Sequence, residues 1–251
     1  MMFDAKQTVR WFALEWPGAT RVFEKLKIDY CCGGHLPLAE ACAKAGVETA
    51  AVARLLEEAR ALATKKEVID LQALSLTELC AHIVDTHHAF TKAETERLAA
   101  LLEKVCAVHG AHHPELLRIR EAFQQMRAEL EEHMLKEERV LFPYIMQLER
   151  ARTGRHRLPP PFGTVQNPIA VMLREHDATN QWLQQMRRWS ADYAAPPDAC
   201  ISYQTLYGAL EALERDLHEH IHLENNLLFP RALALETEIA RGKDPDGPNG
   251  R

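Results

Sequence analysis

The chain has 251 residues, of which 47% are hydrophobic, and a formal net charge of −6 at pH 7. A chain of this length forms one large domain or one domain with a small companion. The acidic balance excludes binding to nucleic acid through a basic face, and no apolar run reaches the ~18 residues of a membrane span. The first residues lack the apolar core of a signal peptide, so we expect a cytoplasmic protein without a membrane partner.

The composition favours helices along the whole chain. Glycine is scarce, with 11 residues, and long stretches are rich in alanine, leucine, glutamate and arginine. Polar and apolar residues do not alternate with a period of two, so no strand is predicted. We therefore predict an all-α protein, and we expect its six cysteines to be largely reduced in the cytoplasm.

Residues 1–65 are predicted to form a small N-terminal helical domain. Pro17 suits a helix start, and the adjacent Gly33 and Gly34 interrupt regular structure, which places Asp29–Gly34 in a loop. A linker is predicted over 65–74. The predicted helices of this domain cover 8–15, 18–27, 38–44 and 48–63.

Residues 75–240 are predicted to form the main domain. Its four long amphipathic segments are separated by joints rich in proline and glycine, and Asn167 before Pro168 suits an N-cap followed by the first helical position. Four such helices with short joints predict an up-down-up-down four-helix bundle. Residues 241–251 are predicted to be a disordered tail. The four segments cover 76–105, 114–149, 167–192 and 203–240.

A histidine–glutamate pair occurs twice in the main domain. Glu137 follows His133 by four residues, Glu224 follows His220 by four, and Leu-Phe-Pro closes both copies at the same distance. Four residues are about one helical turn, so each pair shares one face, which is also the apolar face. A carboxylate facing a core is costly unless it is paired or bound to a cation. One such pair is commonly a satisfied polar pair in a core, but two copies in register favour a metal site.

Two further histidines complete the candidate ligand set. The interval from His88 to His176 matches the interval from His133 to His220 to within one residue, as a duplicated helix pair would leave it. Each of the four helices then directs ligands inward, which builds a metal centre inside a bundle. The candidate ligands are His88, His133, Glu137, His176, His220 and Glu224.

Six ligands are too many for one tetrahedral zinc ion. They suit two first-row ions, with two imidazoles on each ion and both carboxylates bridging between them. Imidazole and carboxylate together favour iron, with manganese as the second choice. Sharing of the carboxylates leaves vacant positions, where O2, peroxide or nitric oxide would bind.

Some assignments within this set stay open. His87 adjoins His88, and helical periodicity does not choose between them, although the repeat interval favours His88. Glu129 and Glu175 are candidates to receive the second ring nitrogen of a ligand histidine or to line a path to the metal.

The adjacent Cys31 and Cys32 are a second chemical feature. Neighbouring cysteines form only a strained disulfide, so a structural bridge between them is not expected. The glycines that follow make the loop flexible. Thiol–disulfide exchange, metal hand-off, an intermolecular bridge and simple burial of two small apolar residues all remain open.

Taken together, these motifs resemble one family. Asp29–Gly34 reads Asp-Tyr-Cys-Cys-Gly-Gly, and the two Leu-Phe-Pro motifs at His133–Pro143 and His220–Pro230 accompany Glu175-His176-Asp177. The chain resembles the iron-sulfur cluster repair di-iron family, known as repair of iron centres proteins, which join a small Cys-Cys-Gly-Gly domain to a hemerythrin-like bundle. The resemblance covers nearly the whole chain except the tail. One departure is the His87–His88 doublet, where some members have an aromatic residue before the ligand.

The resemblance implies a non-haem di-iron centre with four histidines and two bridging glutamates, oxo-bridged when oxidised, and it favours His88 over His87. It implies restoration of iron-sulfur clusters damaged by nitric oxide or oxidative stress, either by supplying iron or by removing nitric oxide. The implied partners are nitric oxide or O2 and damaged iron-sulfur proteins. Apart from the resemblance, a homodimer is one option for the assembly, and the sequence does not give the number of subunits. Cys31 and Cys32 would then act in thiol chemistry or iron hand-off.

Two other functions compete with this interpretation. Paired ions with adjacent vacancies would allow an enzyme that reduces nitric oxide to nitrous oxide. A hemerythrin-like bundle also allows a carrier or sensor of O2 or nitric oxide, although the ligand set here is richer in carboxylate than that of hemerythrin carriers. A DNA-binding regulator is the weakest alternative because the chain is acidic.

Overall fold

A computed structural model describes residues 3–16, 18–62, 70–152 and 162–241. Every regular element in this part of the chain is helical, which confirms the all-α prediction. No helix among these residues is both long and apolar enough to cross a membrane. The predictions for Pro17, for 65–69 of the linker, for the joint over 153–161 and for 242–251 of the tail lie outside the described residues.

Among the described residues, the α-helices are interrupted at three places by five-residue π-helical turns, here π1, π2 and π3. The elements in chain order are α1 (Val9–Glu15), α2 (Ala19–Lys25), α3 (Leu38–Ala45), α4 (Thr49–Leu62), α5 (Leu76–Ile83), π1 (Val84–His88), α6 (Ala89–His109), α7 (Glu115–Lys136), π2 (Glu137–Leu141), α8 (Phe142–Arg152), α9 (Gln166–Trp189), α10 (Ile201–Leu223), π3 (Glu224–Leu228) and α11 (Phe229–Arg241).

The chain divides into two compact units. Unit 1 comprises Met1–Ser75 and His218–Pro230, and unit 2 comprises Leu76–Leu217 and Arg231–Arg251. Helix α10 begins in unit 2 and ends in unit 1. The last turn of α10 and π3 therefore belong to the same compact unit as the N-terminal helices.

The core of unit 1 is built by α1–α4 around buried aromatic rings. Phe12 meets Trp16 edge to face, with ring centroids 5.2 Å apart, and Phe23 is fully buried beside Tyr30. The start of α1 also contacts the Asp29–Gly34 loop, which follows α2. The backbone N–H of Arg10 donates to the carbonyl of Gly34 over 2.8 Å. The loop that carries the two cysteines is thus fixed by packed helices.

The core of unit 2 is contributed by the long helices α6, α7, α9 and α10. Its fully buried residues include Leu98, Phe123, Met186 and Leu213, one from each of these helices. Burial of a large apolar side chain stabilises the fold by about 1.5–3 kcal/mol, so these buried side chains hold the four helices in one core. The predicted up-down-up-down four-helix bundle is confirmed, together with the small helical domain that precedes it.

The third predicted segment differs from the structure at both ends. Helix α9 begins at Gln166, and Asn167 is inside it, with its side chain donating to the carbonyl of Phe162; the predicted N-cap at Asn167 is wrong. The backbone N–H of Val165 instead donates to the carboxylate of Glu236 in α11. A side chain from another helix thus satisfies a donor at the N-terminus of α9. The C-terminal end comes early, at Trp189, because the backbone turns left-handed over residues 191–193.

Candidate metal centre

The three π-helical turns coincide with the candidate ligands. π1 ends at His88, π2 begins at Glu137 and π3 begins at Glu224. A π turn spreads its hydrogen bonds over one more residue than an α turn, which re-aims the side chains at its ends, and such turns are frequent at functional sites. The helices are therefore locally distorted at three of the six candidate ligands, His88, Glu137 and Glu224.

In unit 2, four candidate ligands are buried close together. Glu137 is fully buried, and its Oε2 lies 3.3 Å from Nε2 of His133 and 3.4 Å from Nε2 of His88. The Nε2 atoms of His133 and His176 are 3.1 Å apart. These donors come from three helices that are distant in sequence, and they point at one small volume.

In unit 1, the second histidine–glutamate pair has the predicted geometry. Nε2 of His220 lies 3.0 Å from Oε1 of Glu224, and both side chains are buried. The pair spans the junction of α10 and π3, one turn apart.

The adjacent histidines His87 and His88 have different surroundings. Nδ1 of His87 lies 3.1 Å from a carboxylate oxygen of Asp216 on α10. His88 stacks on the ring of Phe142 and directs its Nε2 at Glu137. His88 therefore faces the buried carboxylate of Glu137, whereas His87 contacts Asp216.

Two surface carboxylates hold the outer nitrogens of the candidate ligands. Nδ1 of His88 lies 2.8 Å from Glu138, and Nδ1 of His133 lies 2.9 Å from Glu175. Lys92 pairs with Glu138 and Lys136 pairs with Glu175. A carboxylate on Nδ1 fixes the tautomer and leaves the lone pair on Nε2, which is the arrangement that metal-bound histidines have.

The charges of these outer carboxylates are stabilised by their neighbours. The hydrogen bond from His133 and the contact with Lys136 lower the pKa of Glu175 to about 2. Burial raises the pKa of Glu138, but hydrogen bonds from Lys92 and His88 outweigh it and hold the pKa below its usual value. Both carboxylates are thus anionic near neutral pH. Each can accept a hydrogen bond from the Nδ1–H of its candidate ligand histidine.

The sequence identified one of these two supporting residues. Glu175, a candidate because it adjoins His176 in sequence, lies beside His133, whereas Glu129 is exposed and accepts a hydrogen bond from the indole of Trp182, so this geometry does not support its predicted role. Glu138 was missed. Its signal was the Glu137-Glu138 doublet inside the motif, since the second carboxylate occupies a different face from the first.

The cysteine loop is ordered around Asp29. One carboxylate oxygen of Asp29 accepts hydrogen bonds from the backbone N–H of Cys31, at 3.1 Å, and of Cys32, at 2.9 Å. The same oxygen lies 3.3 Å from Sγ of Cys31, and the two sulfur atoms are 3.9 Å apart, without a disulfide. The pKa of Cys31 is raised well above its usual value, mainly by a hydrogen bond with Cys32 and next by burial.

Residues next to Glu224 fasten this loop within unit 1. The amide of Asn226 donates to the carbonyl oxygens of Tyr30, at 3.2 Å, and Cys31, at 3.1 Å. Burial lowers the pKa of His222 to about 4, so this ring is neutral near pH 7, with Nδ1 3.3 Å from the Tyr30 carbonyl. A Cβ at Gly34 would lie 2.7 Å from the Asn226 side chain, so the close approach requires glycine.

The buried donors fit a first-row cation. Imidazole and carboxylate atoms 3.1 to 3.4 Å apart have the spacing of neighbouring ligands around one ion with bonds of about 2.0–2.2 Å. Ligands of these types suit iron, manganese or zinc and do not suit calcium or copper(I). The alternative, a purely structural polar cluster, would place several ionisable groups in the core at a considerable cost in desolvation.

Comparisons with known proteins agree with this geometry. Residues 79–232 match the hemerythrin HHE cation binding domain, and residues 5–60 match a domain of unknown function, DUF542. The candidate ligands all fall in the first match and the cysteine loop falls in the second.

Similar proteins extend over nearly the whole chain. It is 35% identical to the iron-sulfur cluster repair protein YtfE of Edwardsiella ictaluri over 88% of this chain and 94% of that protein. It is 31% identical to a probable iron-sulfur cluster repair protein of Haemophilus influenzae, over 92% and 99%, and 33% identical to YtfE of Dickeya chrysanthemi, over 92% and 98%. The chain thus covers more than nine tenths of the length of each of these three relatives.

Proposed function

We propose that this chain, which belongs to the family of iron-sulfur cluster repair proteins and contains a hemerythrin HHE cation-binding domain, restores damaged iron-sulfur clusters by holding iron and delivering it to them. One observation carries the proposal. A chain that matches repair proteins over almost its full length also retains a buried imidazole–carboxylate donor set within its cation-binding domain.

The ligands proposed for the iron are the six side chains predicted from the sequence. His88, His133, Glu137 and His176 come from unit 2, and the His220–Glu224 pair comes from the end of the α10 helix and the π turn that follows it. All six fall within the single domain matched at 79–232. We propose that they hold two ions, with Glu137 and Glu224 shared between them.

The protein residues have separable tasks in this proposal. Glu137 presents one oxygen to two imidazoles from different helices, which suits a carboxylate shared by neighbouring ions. Glu138 and Glu175 hold the Nδ1 protons, so that each Nε2 remains a donor to metal. Bound ferrous iron would supply both the cargo for repair and a redox-active centre.

Delivery to an acceptor tests the function. Iron-loaded protein should reactivate an enzyme whose cluster has been damaged by nitric oxide. A parallel reaction that contains a chelator of free iron distinguishes direct transfer from release into solution. Glu137→Gln should lose both bound iron and reactivation. Glu129→Gln is the matched control and should retain both. Glu129 lies in α7, which leads into π2, and its exposed carboxylate accepts a hydrogen bond from Trp182. Iron-loaded wild-type protein that restores no acceptor would contradict the proposal.

A second candidate function is reduction of nitric oxide to nitrous oxide. The position of Glu137 between two imidazoles favours it, because a shared carboxylate brings two ions, and therefore two vacant positions, close together. Gas analysis after mixing reduced, iron-loaded protein with nitric oxide distinguishes the two. Nitrous oxide in excess of a Glu137→Gln sample would support reduction. Reversible binding without product would instead favour a carrier or sensor.

The remaining assignments stay predictions. They are the cytoplasmic location, the homodimer, the action on nitric oxide or O2, the oxo bridge of the oxidised centre and the general role of Cys31 and Cys32 in thiol chemistry or iron hand-off.

A further inference from the structure

The cysteine loop contains a second group of metal donors, chemically different from the bundle set. Donor atoms of Asp29, Cys31 and Cys32 all lie within 4.8 Å of one another. We infer that these three side chains form a binding site for one thiophilic divalent ion, which serves as the exit site for ferrous iron. The assignment to iron rests on the proposed function, whereas the existence of the site does not.

The distances within the loop match a single bound ion. Two thiolates bound to a tetrahedral ion at about 2.3 Å are about 3.8 Å apart, and a thiolate and a carboxylate oxygen are about 3.5 Å apart. The two sulfur atoms are 3.9 Å apart, and Sγ of Cys31 lies 3.3 Å from Asp29. All three donors are therefore placed near adjacent corners of one coordination sphere.

The geometry of the loop argues against a disulfide between Cys31 and Cys32 and against a role as apolar fillers. A disulfide needs about 2.05 Å between sulfur atoms and would close a strained ring between neighbouring residues. Two apolar fillers would not need a carboxylate beside them.

The loop is held in this arrangement by its backbone. Asp29 is fixed through the N–H groups of Cys31 and Cys32. A Cβ at Gly33 would lie 2.9 Å from the carbonyl oxygen and 3.2 Å from the carboxylate of Asp29, so glycine is needed for this approach. Ligands fixed before binding lose little conformational freedom when an ion arrives.

The site is open on one side. Cys31 is buried, but Cys32 is partly exposed and Asp29 is exposed. Three protein ligands leave a fourth position for water or for a donor atom of another protein, as in sites where metal ligands exchange. A divalent ion that replaces the two thiol protons forms, with two thiolates and the Asp29 carboxylate, a site with a net charge of −1, and the two protons go to solvent. An incoming thiolate from an acceptor can then take the open position.

The loop is also attached to the segment that carries a proposed bundle ligand. Asn226, two residues after Glu224 in π3, donates to the carbonyl oxygens of Tyr30 and Cys31. Asn225 adds a third hydrogen bond to the Cys31 carbonyl, at 3.4 Å. The open thiolate site and Glu224 thus share one short, hydrogen-bonded piece of unit 1.

Cobalt(II) is the probe for the site itself, because thiolate–cobalt bonds give an intense near-ultraviolet charge-transfer band that imidazole and carboxylate ligands do not give. Full-length wild-type protein should develop this band up to about one ion per chain. Cys32→Ala should abolish it, and Asp29→Asn should weaken cobalt binding at least about tenfold. Cys42→Ala, a buried cysteine in the α3 helix of the same unit, is the matched control and should keep the band. Circular dichroism reports whether each variant is folded.

The possible failures can be distinguished. Absence of the thiolate band in folded wild-type protein, or its persistence in Cys32→Ala, would overturn the site, even if iron delivery is intact. Iron delivery that fails in wild-type protein while the band is present would contradict the proposed function and leave the metal site standing. The exit role predicts that Cys32→Ala keeps its bundle iron and loses at least about tenfold in delivery rate. Unchanged delivery in that variant would overturn the exit role.

Discussion

At the scale of residues, the carboxylates around the candidate centre divide into two kinds. Glu137 is fully buried between imidazoles, whereas Glu138 and Glu175 are partly exposed and each joins a histidine to a lysine. The first kind would meet a metal directly. The second kind orients the rings, and its effect on metal affinity is indirect.

The first prediction concerns the orienting carboxylates. Glu175→Gln and Glu138→Gln should each lower metal affinity by about 10–100-fold, because a neutral amide no longer fixes the tautomer of the ligand ring. Competition with a coloured chelator measures the affinity. Glu129→Gln should match wild-type protein, since its carboxylate contacts Trp182. Equal affinities for all three variants would show that the outer carboxylates do not act on the centre.

A second prediction concerns Gly34. Gly34→Ala should lower the free energy of unfolding by about 1–3 kcal/mol, because the new Cβ overpacks against the Asn226 side chain and the Tyr30 carbonyl oxygen. Gly208→Ala is the control, since Gly208 lies inside α10 and a methyl group added there would meet no atom within 4 Å, so alanine should stabilise the helix by about 0.5–1 kcal/mol. Denaturant unfolding measures both. Changes of the same sign would contradict the packing of the loop on Asn226.

At the scale of elements, the π turns connect the sequence pattern with the site. Helix positions were predictable within a few residues from apolar periodicity, because each long helix has one buried face. The π turns were not predictable, because periodicity assumes a constant 3.6 residues per turn. This is also why the pattern could not choose between His87 and His88, which lie at the end of π1.

The third prediction tests π2. Deleting Val140, an exposed residue within π2, should convert the π turn to a regular α turn and re-aim Glu137 relative to Phe142. The variant should remain helical by circular dichroism and lose at least about 100-fold in metal affinity, since the loss of a ligand exceeds the effect of an orienting residue. Val140→Ala should retain wild-type affinity. A deletion variant that binds metal normally would show that the π turn does not shape the site.

The fourth prediction concerns the contact between His113 and Asp198, which lie in two of the joints between the bundle helices. The hydrogen bond to Asp198, opposed by burial and supported by Glu115, raises the pKa of His113. A raised folded pKa stabilises the protein below the ordinary value of about 6.5 and loses this effect as the pH rises past the folded pKa. His113→Gln should therefore lower the melting temperature more at about pH 5.5 than at about pH 8.5. The reverse order would contradict the pairing.

At the scale of the whole molecule, the sequence predicted more of the fold than of the connections. The four-helix bundle follows from periodicity and joints, and the candidate ligands follow from a repeated motif. The attachment of the cysteine loop to Asn225 and Asn226 did not, because these contacts join residues nearly two hundred positions apart. Side-chain bonds to backbone carbonyls leave no periodic trace in a sequence.

The same limit explains which site residues were missed. His133 and Glu137 are one turn apart on one helix, so their proximity follows from helix geometry. Glu138 reaches His88 across two helices, and Asp29 reaches the sulfur of Cys31 through a loop turn. Contacts of these kinds depend on how helices and loops pack, and they become visible only in three dimensions.

The fifth prediction is the most direct test of the central claim, that six side chains hold a pair of iron ions. Protein loaded with ferrous iron without oxygen and passed over a desalting column should retain about two ions per chain. Glu137→Gln and Glu224→Gln should each retain less than about one, because each removes a ligand proposed to be shared by both ions. Wild-type protein that retains no iron, or variants that retain as much as wild type, would contradict the account.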